Sequence, residues 1–467
     1  MAIVDPKVFR TYDIRALVPE MVDEKSEFFE MLGKSDAFLA ELTSAGLEEI
    51  GRGLAVLLDS PQVAIGYDAR LSGPAWSQAL AKGLNRQGVD VLDLGVSTTD
   101  AIYYISGKRN MPAIELTASH SPKELNGMKI VRAGAQVIGM GSGMEELREI
   151  VGKGAFIDSP KPGIVSRENL IAEYILHLMT FIEQNDIRPF KIIADAGNGV
   201  GGVVAGPLFK ALPQLSVTEL FFEPDGTFPN HGPNPFEPEN IALLIEKVKS
   251  EKADFGVAWD GDADRVFFVD EKGEAIPGDF VTTLVARHFL KSNPGASIVY
   301  DLRASRAVSD WVTKLGGRPI AERVGHSFIK RTMRKENAVF GGEVSGHYYF
   351  REHYYADNGY IPLLSIMTML SESNRSLSEL VASLGEYFVS GEINSTVKDT
   401  AAVIERIKSK YSDGAQDFRD GITVEYPSWH FNVRPSANDP LCRLNLEAGS
   451  QLEMERLRDE VLAVIRE

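Results

Sequence analysis

Short apolar runs recur along the chain, each closed by an aspartate and a polar turn that leads into a helical stretch. The first is Val63-Ala64-Ile65-Gly66-Tyr67-Asp68-Ala69-Arg70. The second is Ile192-Ile193-Ala194-Asp195-Ala196-Gly197-Asn198-Gly199, and the third Ile298-Val299-Tyr300-Asp301-Leu302-Arg303. Their aspartates lie more than a hundred residues apart, which predicts three related α/β domains. Strands alternating with helices imply a mainly parallel sheet, whose ligands belong at the carboxyl ends of the strands. A helix is predicted over Ser44–Leu58, with Leu47, Ile50, Leu54, Leu57 and Leu58 on one face. The C-terminal stretch reads differently. Val424, Tyr426, Phe431 and Val433 alternate on short strands, and a terminal helix carries Leu452, Leu457, Val461 and Ile465. That pattern predicts a smaller α+β domain. Proline- and glycine-rich or serine-rich breaks near 159–163, 270–273 and 371–378 place the boundaries, giving domains at 1–160, 161–274, 275–387 and 388–467.

The stretch Thr117-Ala118-Ser119-His120-Ser121-Pro122-Lys123-Glu124-Leu125-Asn126-Gly127-Met128-Lys129 follows an apolar run over 111–116. Its proline bars a helix, and Asn126-Gly127 is read as a tight turn into a second strand over 128–131. Ser119 is therefore expected on a loop at a strand end, with Lys129 brought back toward it. A serine beside a cation can carry a phosphoryl group or accept one; a plain capping loop is the other reading of the same residues.

The net charge of -17 changes the picture of possible partners. It argues against nucleic acid or an anionic membrane, so any anionic substrate must be small and met by locally gathered cations. The one cysteine, Cys442, rules out a disulfide within the chain and fits a reducing cytoplasm. Neither a secretory leader nor a run long enough to span a bilayer is expected.

Three further loops carry candidate chemistry. Asp260-Gly261-Asp262-Ala263-Asp264-Arg265 follows an apolar strand. Carboxylates on alternate residues can converge on one hard cation, and Arg265 stands beside them to meet a phosphoryl group. Gly341-Gly342-Glu343-Val344-Ser345-Gly346-His347 offers a carboxylate able to accept hydrogen bonds from two sugar hydroxyls. Arg434-Pro435-Ser436-Ala437-Asn438-Asp439-Pro440 has the side chains and backbone amides of a phosphate-binding turn. Tyr12-Asp13-Ile14-Arg15 lies on an extended N-terminal segment, and His326, in Gly325-His326-Ser327, adds a titratable base.

Taken in order, these motifs resemble the α-D-phosphohexomutase superfamily, in particular its phosphomannomutase/phosphoglucomutase branch, over essentially the whole chain. The resemblance implies four domains around a central cleft, with the fourth moving as a lid. It implies reversible phosphoryl transfer between the 1- and 6-positions of a hexose phosphate, through a phosphoserine at Ser119 and a hexose 1,6-bisphosphate intermediate. Mg²⁺ would be held by Asp260, Asp262, Asp264 and a phosphoserine oxygen. Lys129, Arg15, Arg265 and His326 would surround the transferring group. Tyr12, Arg303, Glu343, Ser345, His347, Arg434, Ser436 and Asn438 would bind the substrate. The chain departs from the family pattern at Ser121, usually asparagine, at Ala437, at Arg303, often lysine, and in a longer excursion over 18–41, while the apolar Val344 resembles the phosphomannomutase/phosphoglucomutase branch, which has methionine there. A phosphoglucosamine mutase is the nearest rival. A metal-dependent sugar-phosphate phosphatase and a catalytically silent sugar-phosphate sensor are readings of other classes.

Overall fold

The computed structural model describes residues 4–22, 40–435 and 441–467. Most of the 18–41 excursion, together with Ser436, Ala437 and Asn438, lies outside the described residues. The chain divides into two compact units, one formed by Met1–Ile276 with Ser345–Ser378 and the other by Pro277–Val344 with Glu379–Glu467.

In the first unit, the strands Gln62–Tyr67, Asp90–Val96 and Ala113–Leu116 run parallel, and Leu125–Arg132 returns antiparallel beside Ala113–Leu116. Ile14–Leu17 adds an antiparallel edge and Val165–Arg167 closes the other side. The helix Ser44–Leu58 starts where Thr43 caps the Gly46 amide at 3.1 Å, and it buries Leu47, Ile50 and Leu54 completely, as the periodicity predicts.

One reading is corrected here. Asn126-Gly127 is no turn but lies inside the strand Leu125–Arg132, and the chain reverses earlier, over 117–124. Gly127 is needed for close approach instead. A Cβ at this position would stand 2.0 Å from the Ile14 carbonyl oxygen, so only glycine lets the N-terminal strand pair there.

A second sheet in this unit places Lys191–Asp195 parallel to both Ser216–Leu220 and Phe255–Trp259. Val266–Asp270 then returns antiparallel to Phe255–Trp259, so the acidic loop is the turn of a hairpin. The hairpin of Tyr348–Phe350 with Ala356–Asp357 belongs to the same unit.

The second unit contains the parallel strands Arg318–Glu322, Ser297–Asp301 and Phe340–Gly342. It also contains an antiparallel sheet built from Leu441–Ala448, Trp429–Pro435, Ile422–Glu425 and Ala415–Asp417, so three α/β layers and one antiparallel layer occur as predicted. Val424, Phe431 and Val433 are fully buried in the antiparallel layer. In the terminal helix Gln451–Arg466, Leu457, Val461 and Ile465 face the core, but Leu452 is 80% exposed. At about 100° per residue Leu452 points opposite Val461, and Met454 takes the buried position in the first turn. Among the described residues no helix is long and apolar enough to cross a membrane.

Candidate active site

The turn over 117–124 projects from the carboxyl end of Ala113–Leu116, and Ser119 sits on it in the left-handed region at φ 52°. Its side chain is buried, and its Oγ donates to Asp260 Oδ2 at 2.7 Å. The acidic loop reaches this close because residue 261 is glycine, where a Cβ would stand 2.6 Å from the Ser119 carbonyl oxygen. His120 Nδ1 lies 3.3 Å from Ser119 Oγ, and burial, then Arg265 and Arg15, hold that imidazole well below its usual range, hence neutral.

Asp260, Asp262 and Asp264 are all buried, and one oxygen from each lies within 4.8 Å of the others. Lys129, from the strand Leu125–Arg132, reaches into the cluster, donating to Asp262 Oδ2 at 2.7 Å and to Asp264. Burial alone would lower the lysine's pKa, but Asp262 and Asp264 outweigh it, so the ammonium stays charged. Asp260 is farther from that charge. Burial, then Asp262 and Asp264, push its carboxyl up to about 8. Asp264 moves the opposite way: burial opposes ionisation, but Lys129 and then His347 take its carboxyl well below the usual range. Thr99 Oγ1 donates to Asp262 Oδ2 at 2.6 Å, while Asp262 Oδ1, buried, has no hydrogen-bond partner among the described residues. Converging carboxylate oxygens, one of them unpartnered, beside a hydroxyl form an all-oxygen donor set that fits a hard divalent cation.

Arg265 flanks the loop, its amide donating to Asp260 Oδ1 at 3.1 Å and its Nε to His347 Nε2 at 3.1 Å. His347 Nδ1 lies 3.4 Å from Ser345 Oγ. His347 Nε2 is also 3.4 Å from Asp264 Oδ1, and Asp264, His347 and Asp357 form a second group of possible metal donors. Sequence reasoning grouped His347 with the sugar loop; the structure puts it beside the acidic loop. Arg15 donates to Ser121 in the serine loop and is held by Asp13, the residue after Tyr12. Ser119, Lys129, Arg15, Arg265, His347 and the three aspartates are thus brought together. Thr99 and Asp357 were missed, since neither stands in a motif.

The second unit gathers other predicted residues. Arg303 donates to Asp301 through Nε at 3.1 Å and NH2 at 2.9 Å, and to Glu392 at 3.2 Å. Glu392 also meets Arg434 at 3.3 Å and Arg443 at 3.1 Å. Burial opposes the charge on Glu392, and the three guanidiniums, Arg303 foremost, hold its carboxyl below the usual range. Glu343 is buried and its Oε1 accepts the Gly325 amide at 2.9 Å, while the Val344 amide donates to Asp301 Oδ2 at 2.9 Å. His326 is the first residue of the helix His326–Glu336 rather than part of an open turn.

A fourfold domain series, a buried serine on a trio of aspartates and a lysine among them define a phosphoryl-transfer enzyme of the α/β class. Comparison with known proteins makes this specific. The phosphoglucomutase/phosphomannomutase α/β/α domains I, II and III match residues 6–156, 172–273 and 277–387, and the C-terminal domain of the same family matches 392–464. The chain belongs to the phosphoglucomutase/phosphomannomutase family. It is 38% identical to a protein named phosphohexose mutases from Xanthomonas campestris pv. campestris, over 98% of this chain and 99% of that one. A phosphomannomutase of Escherichia coli is 36% identical over 98% and 99%, and a phosphoglucomutase of Neisseria gonorrhoeae 34% identical over 100% and 98%. The crystal structure of a phosphoglucomutase/phosphomannomutase family protein from Burkholderia thailandensis superposes with a TM-score of 0.84 at 31% identity, covering 99% of this chain and 97% of that one.

Proposed function

We propose that this enzyme interconverts the 1- and 6-phosphates of mannose and of glucose through a phosphoserine at Ser119 and a hexose 1,6-bisphosphate. The observation that carries the reading is the hydrogen bond from Ser119 Oγ to Asp260, 2.7 Å long, inside a cluster that also holds Lys129. In one half of the cycle the phosphoserine P–O bond breaks as a sugar hydroxyl oxygen bonds to phosphorus. The hydroxyl proton returns to Ser119 Oγ through a nearby base. In the other half Ser119 Oγ takes back the second phosphate and the sugar oxygen regains a proton. Lys129, Arg265 and Arg15 balance the charge that builds on the moving phosphoryl group. Mg²⁺ on Asp260, Asp262, Asp264 and a phosphoserine oxygen would polarise that group further. His326 would serve as acid and base for the sugar hydroxyl protons, and His347 would contact the substrate. Arg303, Glu343, Ser345 and Tyr12 would orient the sugar phosphate, and Arg434 with Ser436 and Asn438 would hold the phosphate that is not reacting.

We assign the domains to 1–160, 161–274, 275–387 and 388–467, in an enzyme of the cytoplasm. The test is an assay of purified protein with mannose, glucose and glucosamine phosphates, with free phosphate measured alongside. Isomerised hexose phosphate without phosphate release is expected for mannose and glucose. Stoichiometric phosphate release would make the enzyme a phosphatase, and preference for glucosamine phosphate would move it to the other mutase branch. Intact-mass analysis should show one phosphate on wild type and none on Ser119→Ala, which should fold and lose turnover.

A further inference from the structure

We propose that Arg70, anchored by Asp68 and working with Thr117, is the positioning residue that fixes Ser119 for phosphoryl transfer, an inference that rests on Ser119 being the nucleophile. Arg70 is buried, only 2% exposed, and comes from the polar turn after Gln62–Tyr67. Its NH1 donates to the carbonyls of Pro122 at 2.8 Å and Leu125 at 2.7 Å, and its NH2 to those of Ser119 at 2.9 Å and Ser121 at 2.6 Å. Its Nε donates to Asp68 Oδ2 at 3.1 Å, so every guanidinium N–H is engaged and the serine loop is wrapped around one cation.

The other side of Ser119 returns to the same aspartate. The Ser119 amide donates to Thr117 Oγ1 at 2.7 Å, and that hydroxyl donates to Asp68 Oδ2 at 2.8 Å. Asp68 Oδ1 in turn accepts the Arg70 amide at 2.9 Å. Amide and carbonyl of Ser119 are therefore both tied to one turn on a central strand. A serine in the left-handed region is disfavoured unless its surroundings hold it, and these bonds do so. The segment around Asp225 to Phe228 covers the clamp. Phe228, itself at φ 49°, lies over the guanidinium at 5.4 Å, and a Cβ on Gly226 would stand 2.5 Å from the Ala69 carbonyl. Water is thus excluded from bonds that a lysine, with donors on a single nitrogen, cannot reproduce.

The repeats show that the clamp is not an automatic product of the fold. The third repeat has the same Asp-x-Arg turn, with the Arg303 amide on Asp301 Oδ1 at 2.8 Å, yet its guanidinium turns to Asp301 and Glu392 rather than to backbone carbonyls. The second repeat has Gly197 and Asn198 in place of an arginine.

The experiment compares wild type, Arg70→Gln, Arg70→Ala and Thr117→Val. It follows single-turnover phosphorylation of Ser119 by hexose 1,6-bisphosphate using intact mass, with kcat, KM and thermal melting measured on the same samples. Arg70→Gln should lower kcat and the phosphorylation rate about 100-fold, the scale of misplacing a reacting atom, with KM changed less than about threefold. Thr117→Val, which removes the hydroxyl's two hydrogen bonds but no charge of its own, should lower both rates about tenfold. Millimolar guanidinium should restore part of the Arg70→Ala rate and none of the Thr117→Val rate. Unchanged phosphorylation rates in Thr117→Val and in the Arg70 variants would overturn the clamp. So would losses that only track the unfolded fraction with no guanidinium rescue. A wild type that never carries phosphate on Ser119 would instead overturn the reading of Ser119 itself, and the clamp with it.

Discussion

Charge balance decides the behaviour of single residues in this site. Lys129 is the buried cation between Asp262 and Asp264, so Lys129→Met leaves two buried carboxylates without the ammonium that bridges them. Stability should drop by about 3–5 kcal/mol, and millimolar Mg²⁺ should restore much of it; melting curves with and without the cation check this. Asp262→Asn should act differently, abolishing turnover with little change in melting temperature, because Thr99 and Lys129 can still hydrogen-bond the amide oxygen. The serine and the acids were legible in the sequence because each stands in a short run whose spacing implies convergence. Arg70 was visible only as part of a recurring strand-turn pattern. Its partners are backbone carbonyls 49 to 55 residues away, and backbone groups leave no mark in a sequence.

At the scale of elements, close approach and burial set the outcome. Gly127→Ala should push the strand Ile14–Leu17 off the sheet, costing about 1–3 kcal/mol as other overpacking changes do and displacing Arg15 from the serine loop. Equilibrium unfolding and the KM for sugar phosphate read the two effects. Asn-Gly ordinarily marks a turn, so the sequence pointed to the wrong reversal; the competing demand was backbone contact with a strand more than a hundred residues away. The strand Leu441–Ala448 carries another consequence. Burial pushes Glu447 up to about 7, against a hydrogen bond from Ser305 that lowers it. A folded-state value above the unfolded one means a stabilising contribution that is complete below about pH 4.5 and lost as the pH rises through about 7. Glu447→Gln should remove that dependence, so its stability relative to wild type should rise by up to about 3 kcal/mol between pH 4.5 and 8, as measured by denaturant unfolding across the range.

At the scale of the whole molecule, the three α/β layers and the antiparallel fourth were readable because each strand-turn-helix unit repeats its own pattern. Most of the excursion over 18–41 and the segment after Pro435 lie outside the described residues. Arg434→Ala should cost about 2–4 kcal/mol in kcat/KM, the scale of losing the charge-assisted phosphate contact proposed for it together with any ordering that contact brings. It should also make turnover more dependent on added hexose 1,6-bisphosphate, because the intermediate would escape more often; titrating that compound against both proteins checks this. Identical activation curves would leave Arg434 no part in holding the phosphate.

The recurring aspartate turn has a consequence for how such a chain can diversify. In the first copy Asp68 is bound into the serine loop, and in the third Asp301 is bound into the loop of Glu343 and Val344. Each anchor answers to its own neighbourhood and to no other copy. Under the role proposed for Glu343, mutations around the third would retune which sugar is accepted while the first keeps its serine in place. Three sockets of one shape would let change proceed in one of them at a time without halting the reaction.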